Sequence, residues 1–333
     1  MKPKMLLIAA LSTMFFSTTS AADKGETPSR LHVAVNLVRG SVSGGNIGSY
    51  GPYVRESDST WLRLSRSNVI TYGFGSVVTS KPRRLYVAAG NGLHLSLDDG
   101  KSWRILTGWE TLEILGVLPH PVDTSLVYVS TPWGVYCTRD AGKSWKPCMT
   151  GFKKWFVRQI AFDHRSTDVL YAISEDDLYV SRNGGGLWHP LGVGQDAVLT
   201  FLQHPLNPDL LLVGCEDGGI RISTDGGDSW NPAKGIQGAS VYALASSADG
   251  KQLYAAGWES GIWRSTNNGT TWEILWDPDA IQAFFCLLVD PHDPQHLYAG
   301  ADGNGVYESF DGGRMWKAAG LGGGKIKQLF YYP

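Results

Sequence analysis

Short apolar runs separated by Gly, Pro, Asn, Asp and Ser recur from about residue 30 to the end of the chain, four to a unit. In one unit they are residues 114–118 (ILGVL), 126–130 (LVYVS), 135–138 (VYCT) and 144–146 (SWK). Runs this short, rich in β-branched and aromatic residues and bounded by turn formers, predict strands. Each unit ends on the same motif, Ser/Thr-x-Asp/Asn-x-Gly-x-x-Trp, at residues 96–103 (SLDDGKSW), 138–145 (TRDAGKSW), 181–188 (SRNGGGLW), 223–230 (STDGGDSW), 265–272 (STNNGTTW) and 309–316 (SFDGGRMW). The tryptophans step by 42, 43, 42, 42 and 44 residues, and a further step of 42 back from Trp103 reaches Trp61 in a degraded copy, ESDSTW.

Seven units of about 42 residues, each with four strands, predict an all-β fold: a seven-bladed β-propeller of four-stranded antiparallel blades. One such sheet cannot bury both of its faces, whereas a ring of them can. The ends of the chain carry a further expectation. Residues 30–34 (RLHVA) match residues 84–88 (RLYVA), a second strand, while residues 325–332 (KIKQLFYY) match the first-strand position of other units. The C-terminal strand is therefore expected to complete the N-terminal blade and close the ring, which removes an open sheet edge.

The motif spans the turn between third and fourth strands. Asp98, Asp140, Asn183, Asp225, Asn267 and Asp311 are placed to accept turn N–H groups, the glycine to take a positive φ, and Trp103, Trp145, Trp188, Trp230, Trp272 and Trp316 to anchor each blade. Equivalent turns spread around a ring cannot converge on one reacting atom, so the motif reads as structural.

Lys2 and Lys4 precede an apolar run over residues 5–16 and then small residues, the pattern of a signal peptide over residues 1–22, leaving 23–333 as a single propeller domain that is secreted or periplasmic. The run is too short and interrupted for a membrane span. Removing it reduces 29 basic residues to 27 against 31 acidic ones, a net charge of −4, which excludes a nucleic-acid partner on charge. Among four cysteines, Cys137 and Cys148 flank one motif on neighbouring strands and form the candidate disulfide; Cys215 and Cys286 read as buried thiols.

The motif resembles the Asp-box, or bacterial neuraminidase, repeat, over essentially the whole mature chain. Families sharing it include sialidases, two-propeller xyloglucanases, sortilin-type receptors and the photosystem II stability and assembly factors. The sequence contains no Arg-Ile-Pro element of the sialidase kind, has one propeller where the xyloglucanases have two, and ends without a Cys-rich module. Its layout is thus most similar to the stand-alone exported propellers akin to the assembly factors, whose activity is binding.

The resemblance implies that ligands bind on the face opposite the motif turns, built from second-to-third-strand loops and blade-to-blade links. Binding candidates there are Arg39, Trp109, Trp133, Trp155, Trp258, Glu259, Asp302 and Asn304. Acids outnumber bases on this face and tryptophans interleave them, which suits a polar neutral or cationic partner, protein or glycan. Glu175, Asp176 and Asp177 read as solvated turn residues. Residues 38–51 form the longest irregular insert, readable equally as a lid over the channel or as a disordered excursion. His120, His164, His204 and His292 follow first strands and read as part of the repeat. No cofactor or metal motif is present. The alternative function is a glycoside hydrolase or lyase, for which Glu216 or Asp217 with Glu259, on neighbouring blades, are the candidate catalytic carboxylates; hydrolysis needs two carboxyl groups about 5 to 9.5 Å apart.

Overall fold

A computed structural model describes residues 30–37, 50–65, 68–108, 113–276 and 283–332. These form seven four-stranded antiparallel sheets. The sequence units coincide with the sheets: the third blade, for instance, runs through strands Gly116–Pro119, Val127–Thr131, Gly134–Thr138 and Lys146–Pro147. First and second strands are nearly all buried and fourth strands exposed, so the core is a set of apolar layers between adjacent blades.

The ring closes as the strand pattern predicts. Gly324–Tyr332 pairs antiparallel with Arg30–Leu37, from Arg30 opposite Tyr332 to Leu37 opposite Gly324, and becomes the innermost strand of blade 1. Polar contacts add to this seam. Arg55 in blade 1 reaches across to blade 7, where its Nη1 lies 2.8 Å from Glu308 Oε2 and donates to the Tyr298 hydroxyl at 2.9 Å. Glu308 is buried; burial pushes its carboxyl up, and the hydrogen bond and charge of Arg55 with Lys317 outweigh that and hold it below the usual range. The Tyr331 hydroxyl donates to Asp290 at 2.6 Å.

The motif turns share one hydrogen-bond pattern. In the second blade the Ser96 hydroxyl donates to Asp98 Oδ1 (2.8 Å) and accepts the Gly100 N–H (2.8 Å), while Asp98 accepts the N–H and hydroxyl of Ser102 at 2.8 and 2.5 Å. Thr138, Asp140, Gly142 and Ser144 repeat it, as do Ser223, Asp225, Gly227 and Ser229. Asn183 and Asn267 accept the equivalent N–H groups without a charge. The indole N–H groups of Trp103, Trp145, Trp188 and Trp230 then donate to the carbonyls of Leu64, Leu106, Cys148 and Leu191, each at the outer edge of the preceding blade. Trp61, in the degraded copy, does the same to Ala319 of blade 7 at 2.8 Å.

Cys137 and Cys148 are joined by a disulfide with Cα atoms 6.1 Å apart, and Cys215 and Cys286 are buried thiols. The repeat assignment of the histidines divides. His120 and His204 each accept two N–H groups of the following turn through Nδ1, whereas His164 and His292 donate their backbone N–H groups to Gln203 and Asp290.

Deleting residues 325–333 leaves blade 1 without its inner strand and exposes the facing edge of blade 7, so thermal unfolding should shift sharply downward and lose cooperativity; an unchanged melting temperature would refute the closure. Hydrogen bonds from Ser102 and Ser144 hold the carboxyls of Asp98 and Asp140 down at about 2. Since these folded values lie below the unfolded value of about 4, their stabilisation is complete above about pH 4 and lost as pH falls toward 2. The double variant Asp98→Asn, Asp140→Asn should flatten the fall in melting temperature between pH 4 and pH 2.

Candidate binding face

Each first strand begins on the face opposite the motif turns, and there the chain repeats an irregularity. Near the start of the first strand its register against the second shifts in six blades, with Tyr72, Arg158, Leu199, Tyr242, Phe285 and Lys327 as the bulged residues. Leu115 takes the corresponding place in blade 3, just before the strand begins. A bulged residue leaves the ladder and re-aims its side chain. Successive members of this set lie 41 to 43 residues apart in sequence.

Their contacts show that they gather around the ring axis. Leu199, Tyr242 and Phe285 pack together with Ala283, and Tyr72 packs with Leu115 and Phe156. Lys325 and Lys327 of the closing strand stand over the Phe285 ring, 4.6 and 5.2 Å from its centroid. Arg158 of blade 4 feels the charge of Glu216 in blade 5 and of Glu175, and acts in turn on Lys327 of blade 1 across the axis. Tyr72, Leu115 and Arg158 of this set, with Phe74, Gln159 and Gln328, line a cavity of about 20 Å³, room for about one water molecule. The face therefore carries an axial mouth that mixes aromatic side chains with Arg158, Lys325 and Lys327.

Trp258 is half-buried and packs against the Leu199, Tyr242 and Phe285 cluster, at the rim of the mouth. Asp302 joins the rim by its ion pair to Lys325 at 3.2 Å, whereas Asn304 is exposed in the same hairpin. Trp133 and Trp155 lie in the blade 3 hairpin and the link from blade 3 to blade 4, and are the most exposed tryptophans among the described residues at 50% and 63%. Arg39, Trp109 and most of the 38–51 insert lie outside the described residues.

The candidate carboxylates do not form a buried pair. Glu216, Asp217 and Glu259 are all exposed. Asp217 accepts the Ser240 hydroxyl at 2.7 Å, and both Asp217 and Glu259 take the left-handed conformation of their hairpins, with φ of 56° and 48°. The proton-holding carboxyl of a glycosidase is instead kept in an apolar pocket.

Two sequence expectations change. Asp177 is not a solvated turn residue: it is buried and its carboxylate accepts the N–H groups of Leu178, Gly192 and Val193, fastening the hairpin of blade 4 to the link that follows. The axial mouth also holds basic residues that the loop inventory missed, because Arg158, Lys325 and Lys327 come from inner strands. The available signal was a charged residue at a repeat position where other blades carry Leu, Tyr or Phe. No group of His, Cys, Asp and Glu suited to a metal ion occurs among the described residues.

The arrangement defines a seven-bladed propeller with an asymmetric axial mouth. Among solved structures it is similar to the GH74 enzyme of Niastella koreensis (TM-score 0.66, 16% identity, 84% of this chain and 53% of that one) and to the GH74 xyloglucanase of Xanthomonas campestris (TM-score 0.61, 18% identity, 74% of this chain and 45% of that one). It is also similar to YCF48 from Cyanidioschyzon merolae, with a TM-score of 0.59 and 13% identity over 76% of this chain and 85% of that one. The chain thus spans about half the length of these GH74 structures, and at such identities the likeness is one of fold. Neither a family model nor a curated protein gives a match.

Burial, together with the charges of Lys325 and Arg158, lowers the Lys327 ammonium from its ordinary value to about 7. The unfolded chain then binds more protons than the folded one between about pH 7 and pH 10.5, so this residue makes stability rise with pH over that window. Lys327→Met should raise the melting temperature at pH 7 and remove that part of the rise, as thermal scans from pH 6 to pH 10 would show.

Proposed function

We propose that the chain is a non-catalytic binding or assembly scaffold of the Asp-box propeller superfamily, exported by a signal peptide over residues 1–22. It holds a protein or glycan partner on the face opposite the motif turns. The observation that carries this reading is the placement of Trp133 and Trp155, exposed on neighbouring elements of blades 3 and 4, beside an axial mouth edged by Trp258. Large, stiff aromatic rings exposed together on one face provide contact area at low entropic cost and are enriched among residues that dominate binding. The carboxylates nearby support binding over hydrolysis, because they are exposed or engaged in turn and ion-pair contacts. Known propellers of this fold include the GH74 enzymes as well as YCF48, so the fold itself leaves both functions open.

A pull-down from the secreted or periplasmic fraction, run beside a glycan array, tests the proposal. The full chain should capture a partner saturably, and Trp133→Ala, Trp155→Ala should weaken capture by about tenfold or more. A Trp258→Ala, Glu259→Ala variant tests the rim in the same way. Cleavage of an arrayed glycan that is abolished in Glu216→Gln or Glu259→Gln would overturn it in favour of the hydrolase.

A further inference from the structure

A second concave site lies away from the axis. Between blades 1 and 2 a groove of about 750 Å³ runs down the outside of the ring, from the motif turn at Asp99 and Lys101 to Asn91 in the hairpin on the other face. Its volume is in the usual range for ligand sites, about 300 to 1,000 Å³. Four cationic side chains line it, Arg30, Arg63, Arg83 and Lys101, against the single carboxylate of Asp99. That carboxylate is already engaged: Arg83 lies 3.1 Å from it, and the Tyr332 hydroxyl donates to it at 2.9 Å. Arg63 donates to the Tyr50 carbonyl at 2.9 Å and to Asn68 Oδ1 at 2.8 Å. Arg30 and Lys101 are exposed. His32, on the same wall, is buried, which lowers its imidazole to about 4 and leaves it uncharged near neutral pH. The groove therefore carries excess positive charge in a chain whose formal net charge is −2.

Two further features describe the shape of what fits. Leu62 and Ile105 are exposed at 47% and 51% on opposite walls, giving the groove an aliphatic rim. Leu62 belongs to strand Trp61–Arg63, which ends the sheet order of blade 1 and pairs only with Gly51–Arg55. Its outer edge offers backbone groups to an added strand. We infer that the groove between blades 1 and 2 is a binding site for an acidic polypeptide segment in extended conformation. Its carboxylates meet Arg30 and Lys101, and its aliphatic side chains rest on Leu62 and Ile105. This site is separate from the axial mouth.

The test uses the full chain and a fluorescent peptide of four Leu-Glu repeats, titrated by anisotropy, beside a Leu-Lys repeat and dextran sulfate. The acidic peptide should bind and weaken as salt is raised, because exposed charges are screened. Affinity should fall about tenfold or more in Arg30→Glu, Lys101→Glu and by less in Arg30→Gln, Lys101→Gln. Both positions are exposed, so melting temperatures should hold; if the Glu pair unfolds the chain, the Gln pair decides. Trp133→Ala, Trp155→Ala should leave the affinity unchanged. The inference is overturned if the peptide does not bind, if the charge variants bind it as the parent does, if the loss appears in the tryptophan variant instead, or if only dextran sulfate binds.

Discussion

A four-stranded sheet that is apolar on both faces has to be covered on both, and in this chain that requirement is met only when the last blade reaches the first. Everything else follows from the pairing of Gly324–Tyr332 with Arg30–Leu37. It fixes the blade number, since the ring closes on the seventh sheet. It also brings Arg55 and Glu308, far apart in sequence, to within 2.8 Å. A buried ion pair of this kind adds little net stability when intact, yet losing one partner costs about 3 to 5 kcal/mol, so the seam penalises misassembly. The indole N–H bonds from Trp61, Trp103, Trp145, Trp188 and Trp230 to the preceding blade carry the same constraint through blades 1 to 5.

The ring divides its labour between its two ends. One end is uniform: hydroxyl, carboxylate or amide, and glycine N–H make the same turn again and again, and the side chains that do so are used up in the process. The other end inherits a uniform backbone device, the bulge near the start of the first strand, and fills it with unlike residues. Leu115 and Leu199 pack, Tyr72 donates to Glu113 at 2.9 Å, and Arg158 and Lys327 bring charge into an aromatic setting. Repetition in the main chain with variety in the side chains is how a symmetric scaffold obtains an asymmetric surface.

Much of the fold was legible in the sequence because its information is local and repeated. The motif states its own turn, the spacing of the tryptophans counts the blades, and the match of residues 30–34 to residues 84–88 reveals which strand is missing. The candidate face was less legible. Trp133 and Trp155 could be placed in loops by counting strands, but their exposure and the half-burial of Trp258 depend on neighbouring blades. Arg158 and Lys327 escaped because a bulge is set by tertiary register, and a charge inside an apolar strand run reads as an outward-facing position. Asp177 escaped for the opposite reason: in sequence it is one of three consecutive acids, and only the approach of Gly192 and Val193 turns it into a buried acceptor.

The closing pair joins residues nearly 300 positions apart, and this sets the order in which the protein is made. As the chain emerges, blades 2 to 7 can assemble from neighbouring segments, while strand Arg30–Leu37 waits with an unsatisfied edge until residues 324–332 arrive. Contacts of such long range form late and slowly. Until residues 324–332 emerge the molecule is thus an open arc with one sticky border at each side, and that interval is when a chaperone has the most to shield.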